Sequence, residues 1–250
     1  MSHKDYEPVD LARGDFKIHQ LESLERDNVE NCFAGYISRV SGRINDGKEA
    51  TVYLCESDRG DLLAAKVFKA RHFRHFNTDH NYRDTGRQKD RRLAKAMRKR
   101  SNRGELAFHR QWIESEWHYL ALLFEAGVSV PRPVASSPDG VLMEFIGDEG
   151  GAAPRLVNCA LNVEESERCA LQLHCEIERM LAVAVVHGDL SPYNILYHRG
   201  RLVIIDVPQA MTLHGAPDAI NMLHRDLSNL DRYFGKKGVV TNYVEKLMPC

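Results

Sequence analysis

The stretch "VVHGDLSPYNILYHRGRLVIIDV", residues 185–207, decides how the rest of the chain is read. His187, Asp189 and Asn194 share one short loop, and an apolar segment then delivers a second aspartate, Asp206. "ILYH" and "LVIID" flank the turn His-Arg-Gly-Arg, so the pattern predicts a small hairpin over Ile195–His198 and Leu202–Asp206 that folds Asp206 back beside the loop. Phosphoryl transfer asks for a carboxylate near the acceptor oxygen, oxygen ligands for a hard divalent ion and a cation on the nucleotide. The loop supplies the first two in the order H-x-D-L-x-x-x-N, followed by an aspartate at a strand end. The plainer alternative is a polar turn whose Asp and Asn only make local turn bonds.

The third requirement points to Lys66, which interrupts the apolar strand "LLAAKVF". An ammonium there is costly without a partner, although a lysine snorkelling from an edge strand would look the same. Glu116 supplies a partner, standing between Trp112 and Leu120 on the apolar side of a predicted helix, "RQWIESEWHYLALLFEAG". Ile113, Trp117, Leu120 and Phe124 form the expected buried stripe of that helix, and Gly127 its stop. A helix-surface glutamate near the edge of the stripe is the plainer reading of Glu116.

Around these residues the pattern divides in two. "YISRVS", "ATVYLC" and "LLAAKVF" read as strands, with "GRINDGKE" as a polar turn between the first two that could cradle phosphate. Arg132–Ser136 and Val141–Phe145 add two more. Beyond residue 150 the chain turns helical. Asn162 with Glu165 forms a capping box, Ala170, Leu173, Ile177, Met180 and Ala184 share a face, and Ile220, Leu223, Leu227, Leu230 and Phe234 mark a last helix. The expectation is an α+β, two-lobed, protein-kinase-like fold, with a five-stranded N-lobe sheet carrying one main helix and a reduced, mostly helical C-lobe. Residues 1–35 form a tail with one helix (Ile18, Leu21, Val29), residues 36–146 the N-lobe and residues 147–250 the C-lobe.

Composition is that of a globular domain: 43% hydrophobic and 28% charged over 250 residues. The longest apolar run, Met180–Val186, is too short to span a bilayer, and the polar N-terminus lacks a signal core, so a cytoplasmic protein without a membrane partner is expected. Six scattered cysteines without CxxC spacing argue against zinc and against a disulfide framework. The net charge of −1 conceals residues 71–104, where twelve Lys or Arg face three Asp. Such a segment suits an anionic partner such as RNA, or is a solvated loop.

With these pieces in place the chain resembles the RIO family of atypical protein kinases, from about Tyr36 to Phe234. The likeness is to the branch without an N-terminal winged helix. "GKEATVY", "AAKVFK", "ESEWHYL", "VPRPV", "VLMEFIG", "VVHGDLSPYNILY" and "LVIIDVPQA" carry it. The resemblance implies ATP and Mg²⁺ (or Mn²⁺ in its place) between the lobes, with Gly47, Lys48 and Glu49 in the nucleotide loop and a Lys66–Glu116 pair. It implies adenine on the backbone of Glu144 and Ile146, Asp189 as catalytic aspartate, and Asn194 and Asp206 as metal ligands. It further implies serine/threonine kinase and ATPase activity, autophosphorylation of Asp206, and a protein or ribonucleoprotein substrate. The family's role in small ribosomal subunit maturation suggests pre-ribosomal or RNA contact through residues 71–104, where the family carries a flexible loop.

Three features depart from that pattern. Gly188 stands where this branch has alanine, Asp46 where the family often has Ser or Thr, and Asp206-Val207-Pro208 lacks Phe-Gly. No activation segment follows, and "APD" at residues 216–218 reads as a turn. His-Gly-Asp is shared with small-molecule kinases of the aminoglycoside and choline type, which stay open as a second reading. A pseudokinase-like RNA or protein binding module is the third.

Overall fold

The computed structural model describes residues 23–69, 102–148, 150–214 and 218–248, excluding the side chains of 23, 24 and 102–108. Ile18 and Leu21, nearly all of the basic segment 71–104, Ala216–Pro217 and Cys250 lie outside the described residues.

Helix α1 (Ser23–Cys32) leads into strands β1 (Arg39–Asp46), β2 (Ala50–Glu56) and β3 (Leu62–Phe68). Helix α2 (Asn102–Glu125) follows, then β4 (Pro133–Ser137) and β5 (Gly140–Glu144). These five strands form one antiparallel sheet in the order β1-β2-β3-β5-β4. The period-two geometry of a strand sorts the residues of β3. Leu63 and Ala65 face one way, against Val29 and Phe33 on α1 and its exit. Ala64 and Lys66 face the other way, into a cleft. Residues 23–37 are therefore part of the N-lobe core, tied in by Arg43 and Tyr53, which both donate to Glu25 (2.7 and 2.6 Å).

The "GRIND" segment is strand where a turn was expected. β1 runs to Asp46, opposite Thr51, with irregularities between Val40 and Gly42 and between Arg43 and Asn45. A strand at the sheet edge can turn polar side chains to water and absorb bulges, so its apolar signal is weak. The turn itself is only Gly47–Glu49.

The C-lobe begins with a short hairpin, β6 (Gly147–Asp148) and β7 (Gly151–Ala152), and a 3-10 turn, Leu156–Asn158. It continues with α3 (Val163–Ala182), β8 (Val185–Val186), β9 (Ile195–His198), β10 (Arg201–Ile204), β11 (Met211–Thr212), α4 (Ala219–Gly235) and α5 (Tyr243–Leu247). The capping box on α3 is present, with Asn162 Oδ1 accepting from Glu165 N and Glu165 Oε2 from Asn162 N, each at 2.9 Å. Its buried face holds Cys169, Ala170, Leu173, Ile177 and Met180, while Ala184 lies past the helix end with φ 54°. β9 and β10 form the expected hairpin, and β11 pairs with β8.

Two stripes shift by one residue from their expected course. Phe124 is 40% exposed and Leu123 takes the buried place; Ile220 is 42% exposed, with Ala219 and Met222 buried. A stripe at strict i, i+3, i+4 spacing drifts off a 3.6-residue helix at its ends. The unforeseen α5 is held by a remote cap. Asp231, on α4, accepts the N–H groups of Tyr243 (2.8 Å) and Val244 (3.2 Å), so no local signal announces it.

One apolar cluster joins Trp112, Leu120 and Leu123 of α2 to Leu173 and Ile177 of α3 and Leu227 and Phe234 of α4. The helix that carries Glu116 is thus packed on both lobes. No helix among the described residues is long and apolar enough to cross a membrane.

Candidate functional site

All ten residues singled out in the sequence line one cleft of about 430 Å³: Gly47, Lys48, Glu49, Lys66, Glu116, Glu144, Ile146, Asp189, Asn194 and Asp206. At its centre Lys66 Nζ donates to Glu116 Oε2 at 2.7 Å and to Asp206 Oδ1 at 2.6 Å. Burial works against the Lys66 charge, but the carboxylates of Asp206 and Glu116 together outweigh it and hold the ammonium protonated. Glu116 is 1% exposed, and burial pushes its carboxyl up against the pull of Lys66. Burial would also raise Asp206, yet the Lys66 ammonium brings it below its ordinary value, with smaller help from His187 and Arg155.

The loop after Asp206 is held to α2 by two adjacent residues. Glu116 accepts the Val207 N–H, and Ser115 Oγ donates to Pro208 O at 3.2 Å. Asp206 itself adopts φ 68°, a left-handed conformation that a non-glycine residue keeps only when its surroundings impose it.

The loop His187–Asn194 is fixed from below. His187 is buried, which lowers its pKa; the neutral ring donates from Nε2 to Ile205 O (3.1 Å) and accepts Asp189 N at Nδ1 (3.3 Å). Asn194 Nδ2 donates to Asp189 O (2.9 Å) and to Asp189 Oδ2 (3.0 Å), which turns the Asn194 carbonyl oxygen away from Asp189. Burial raises the Asp189 carboxyl above its ordinary value.

Asp226 on α4 was not anticipated. It is 2% exposed; its Oδ2 accepts Gly188 N at 2.9 Å, and the Leu190 N–H also turns to it. Arg225 Nη2 donates to Gly188 O, so α4 clamps both backbone groups of that glycine. Burial pushes the Asp226 carboxyl up to about 7. An acid on the apolar face between Leu223 and Leu227 was the available signal, of the same kind that exposed Glu116.

Gly188 has φ +80°, and a Cβ there would stand 2.6 Å from Gln209 O. The glycine of His-Gly-Asp thus answers to backbone conformation and close approach, and carries no information about the acceptor.

The loop Gly47–Glu49 is pinned from outside. Lys69 Nζ donates to Gly47 O (2.8 Å) and to Asp46, and Lys69 N donates to Glu49 O (2.7 Å). Asp46 also accepts from Thr51 Oγ1 at 2.8 Å, so its carboxylate is occupied by Lys69 and Thr51. The hydrogen bond to Lys69 draws its pKa below the ordinary value. Gly47 N donates to Ala50 O at 3.0 Å, which leaves Lys48 and Glu49 as the backbone donors of the loop. Glu49 is half-buried in the cleft, and burial, then the Asp206 carboxylate, raises its carboxyl.

An oxygen-only donor set of one carboxylate, Asp206, and one amide oxygen, Asn194, matches the chemistry of Mg²⁺, which keeps waters and phosphate oxygens for its other positions. No cluster of three His, Cys, Asp or Glu side chains suited to a metal occurs among the described residues.

Comparison with known proteins agrees with this geometry. A family model described as RIO domain matches residues 51–247. The serine/threonine-protein kinase rio1 of Dictyostelium discoideum is 33% identical over 220 residues, covering 85% of this chain and 36% of its own length. The RIO-type serine/threonine-protein kinase Rio1 of Haloferax volcanii is 31% identical over 210 residues, covering 82% and 66%. Human serine/threonine-protein kinase RIO3 is 33% identical over 219 residues, covering 82% and 40%. The chain therefore spans between 36% and 66% of the length of these relatives. Two crystal structures from Chaetomium thermophilum share the fold. The Rio2 kinase-ADP/Mg²⁺-phosphoaspartate complex aligns with TM-score 0.60 at 20% identity, over 86% of this chain and 60% of that one. The Rio2 kinase aligns with TM-score 0.63 at 19% identity, over 92% and 68%.

Two outcomes follow from the clamp around Gly188. Gly188→Ala should lower unfolding free energy by about 2 kcal/mol or more in urea melts, since the strained φ and the Gln209 contact add. For Asp226 the folded-state pKa lies above the ordinary 3.8, so the stability it contributes is full below that value and lost as pH rises to about 7. Asp226→Asn removes the titration, so wild-type stability relative to the variant should fall across that window in melts at successive pH values.

Proposed function

The chain belongs to the RIO family, and on that premise we propose that it transfers the γ-phosphoryl group of ATP in a Mg²⁺-dependent reaction. The acceptor is a serine or threonine of a protein, or water, with Asp206 as an acceptor within the chain. The observation that carries this reading is the Lys66 ammonium, bonded to both Glu116 and Asp206 in the cleft that also holds Asp189 and Asn194. A binding module has no need of that arrangement. The names of the Dictyostelium and human relatives, and the ADP, Mg²⁺ and phosphoaspartate of the Rio2 complex, support it. We place the junction of the lobes at residues 146–147, where the sheet has ended and the β6–β7 hairpin begins.

Each residue then has a task. Glu116 keeps Lys66 at the cleft wall, where the ammonium meets the α- and β-phosphates. Ile146 gives its carbonyl to Ala153 N (2.9 Å), which leaves its N–H, with the Glu144 backbone, for adenine. Asp189 has Oδ2 on Asn194 and Oδ1 for the acceptor hydroxyl, and its raised pKa strengthens it as a base. The Asn194 oxygen and the anionic Asp206 would hold Mg²⁺, which would supply positive charge to offset that of the phosphates. His187, kept neutral, orients the loop.

Incubation with Mg²⁺ and γ-labelled ATP should give a hydroxylamine-sensitive label on the protein together with slow phosphate release. Both should fall by ~10²-fold or more in Asp189→Ala. Rapid labelling of a sugar or amino alcohol, with the protein left unlabelled, would instead assign a small-molecule kinase.

The partner proposed for residues 71–104 is RNA or a ribonucleoprotein such as the pre-ribosomal small subunit, on the strength of twelve cations against three aspartates. RNA affinity should fall steeply with salt, and replacing the Lys and Arg of residues 87–103 by Gln should both weaken it and flatten that slope. Equal affinity and slope in the two proteins would reduce the segment to a solvated loop.

A further inference from the structure

Two cations of the cleft, Lys48 and Arg155, have side chains to which the chemistry above gives no task. Lys66 is committed to Glu116 and Asp206, and Lys48 stands exposed on the nucleotide loop. Arg155 also lines the cleft, partly buried. Among the described residues its guanidinium forms no ion pair or hydrogen bond. Such a group is ordinarily a solvated surface arginine. Its backbone setting argues otherwise.

The segment that carries Arg155 is stitched at three points to the catalytic loop and to β9, the strand that follows it. Arg155 bridges Leu196 in antiparallel fashion, Pro154 O accepts Tyr197 N at 2.9 Å, and Val157 N donates to Pro192 O at 3.1 Å. Arg155 O then accepts Asn158 N at 2.9 Å, closing the 3-10 turn above the fully buried Leu156. The backbone at Arg155 is thus held in register with the strand that begins one residue after Asn194. That is far more constraint than a solvated arginine calls for.

Charge supplies the second observation. The loop from Asp189 to Asn194 reads Asp-Leu-Ser-Pro-Tyr-Asn and contains no cation. A phosphoryl group arriving over Asp189 and Asp206 meets two carboxylates, and its oxygens need a donor on the C-lobe side. Arg155 is placed there, lining the cleft from a segment bonded to Pro192 and Tyr197.

We propose that Arg155 is a catalytic residue of this cleft, donating from its guanidinium to the oxygens of the phosphoryl group as that group passes from ATP to its acceptor. The proposal rests on the phosphotransfer reading above. In the step, the bond from phosphorus to the oxygen it shares with ADP breaks, and its electron pair leaves on ADP. A bond from the acceptor oxygen forms; a hydroxyl or water acceptor passes its proton to Asp189, whereas the anionic Asp206 has none to pass. Arg155 keeps all its protons; its planar fork matches two phosphoryl oxygens, which a lysine point charge does not.

Because ADP lacks the group that Arg155 holds, turnover and product binding should separate. In Arg155→Gln, kcat for Mg²⁺-dependent ATP turnover should fall ~10²-fold or more, while the Kd for ADP with Mg²⁺ by calorimetry stays within about twofold. Arg155→Lys should fall between, retaining charge but not the fork. Should the Gln variant fail to fold, the Lys variant carries the same test of slowed turnover at unchanged ADP affinity. A folded Gln variant with wild-type kcat overturns the proposal, as does one whose ADP affinity drops in step with turnover, which would make Arg155 a structural or diphosphate contact. In both cases an active wild-type protein leaves the phosphotransfer reading standing. A wild-type protein that neither hydrolyses ATP nor takes up label removes that reading, and this proposal with it.

Discussion

A single buried ammonium ties three parts of the chain together. Lys66 comes from β3, Glu116 from α2 and Asp206 from the end of the β9–β10 hairpin, and the contacts of 2.7 and 2.6 Å leave little freedom among them. Lys66 and Glu116 form a buried pair, in which removing one member strands the other at a loss of about 3–5 kcal/mol, while the contact to the half-exposed Asp206 adds less. The link extends into the backbone. Glu116 accepts the Val207 N–H and Ser115 donates to Pro208 O, so two consecutive helix residues grip the loop just beyond Asp206. The left-handed conformation of Asp206 is sustained by that grip.

A second set of constraints acts from beneath the loop at residues 187–194. His187, Asp226 and Arg225 all bind backbone, and none of them faces the cleft opening. Asp226 is costly to bury, and its elevated pKa measures that cost; in return it fixes the peptide that precedes Asp189. Arrangements of this sort locate the Asp189 carboxylate by packing on α4 and leave little to its own rotamer. The cleft thus has a rigid floor and, above it, a loop at Gly47–Glu49 whose outer side is fastened by Lys69 to Asp46 and Gly47. Asp46 stands where the resemblance led one to expect a hydroxyl, and its pairing with Lys69 explains how a carboxylate is tolerated there.

Much of this was legible before folding because chemistry breaks pattern. Lys66 inside an apolar strand, Glu116 on an apolar helix face and the spacing of His187, Asp189, Asn194 and Asp206 each stand out against a simple period. Asp226 carried the same mark, an acid between leucines on α4, but with no local motif to name its partner, Gly188, 38 residues away. Arg155 carried no mark at all. It follows "GGAAP", a segment without period, and acquires meaning only when the 3-10 turn is laid against the loop at residues 187–194 and the strand after it. α5 escaped notice because its cap comes from Asp231 on another helix, and β1 was read too short because an edge strand needs no apolar alternation.

Beyond Gly47, Lys48, Glu49, Glu144 and Ile146, which the family resemblance named, the amino-acid sequence by itself determined the α+β class, the five sheet strands, the three long helices, and Lys66, Glu116, Asp189, Asn194 and Asp206. Those depend on local periodicity and on polar groups too costly to bury without partners. Tertiary structure decided which partners they take. It set Lys66 between two carboxylates, clamped Gly188 between Asp226, Arg225 and the Gln209 carbonyl, and brought an unpaired arginine to the C-lobe side of the cleft. Contacts between residues 21 to 140 positions apart are a property of packing, which no local pattern encodes.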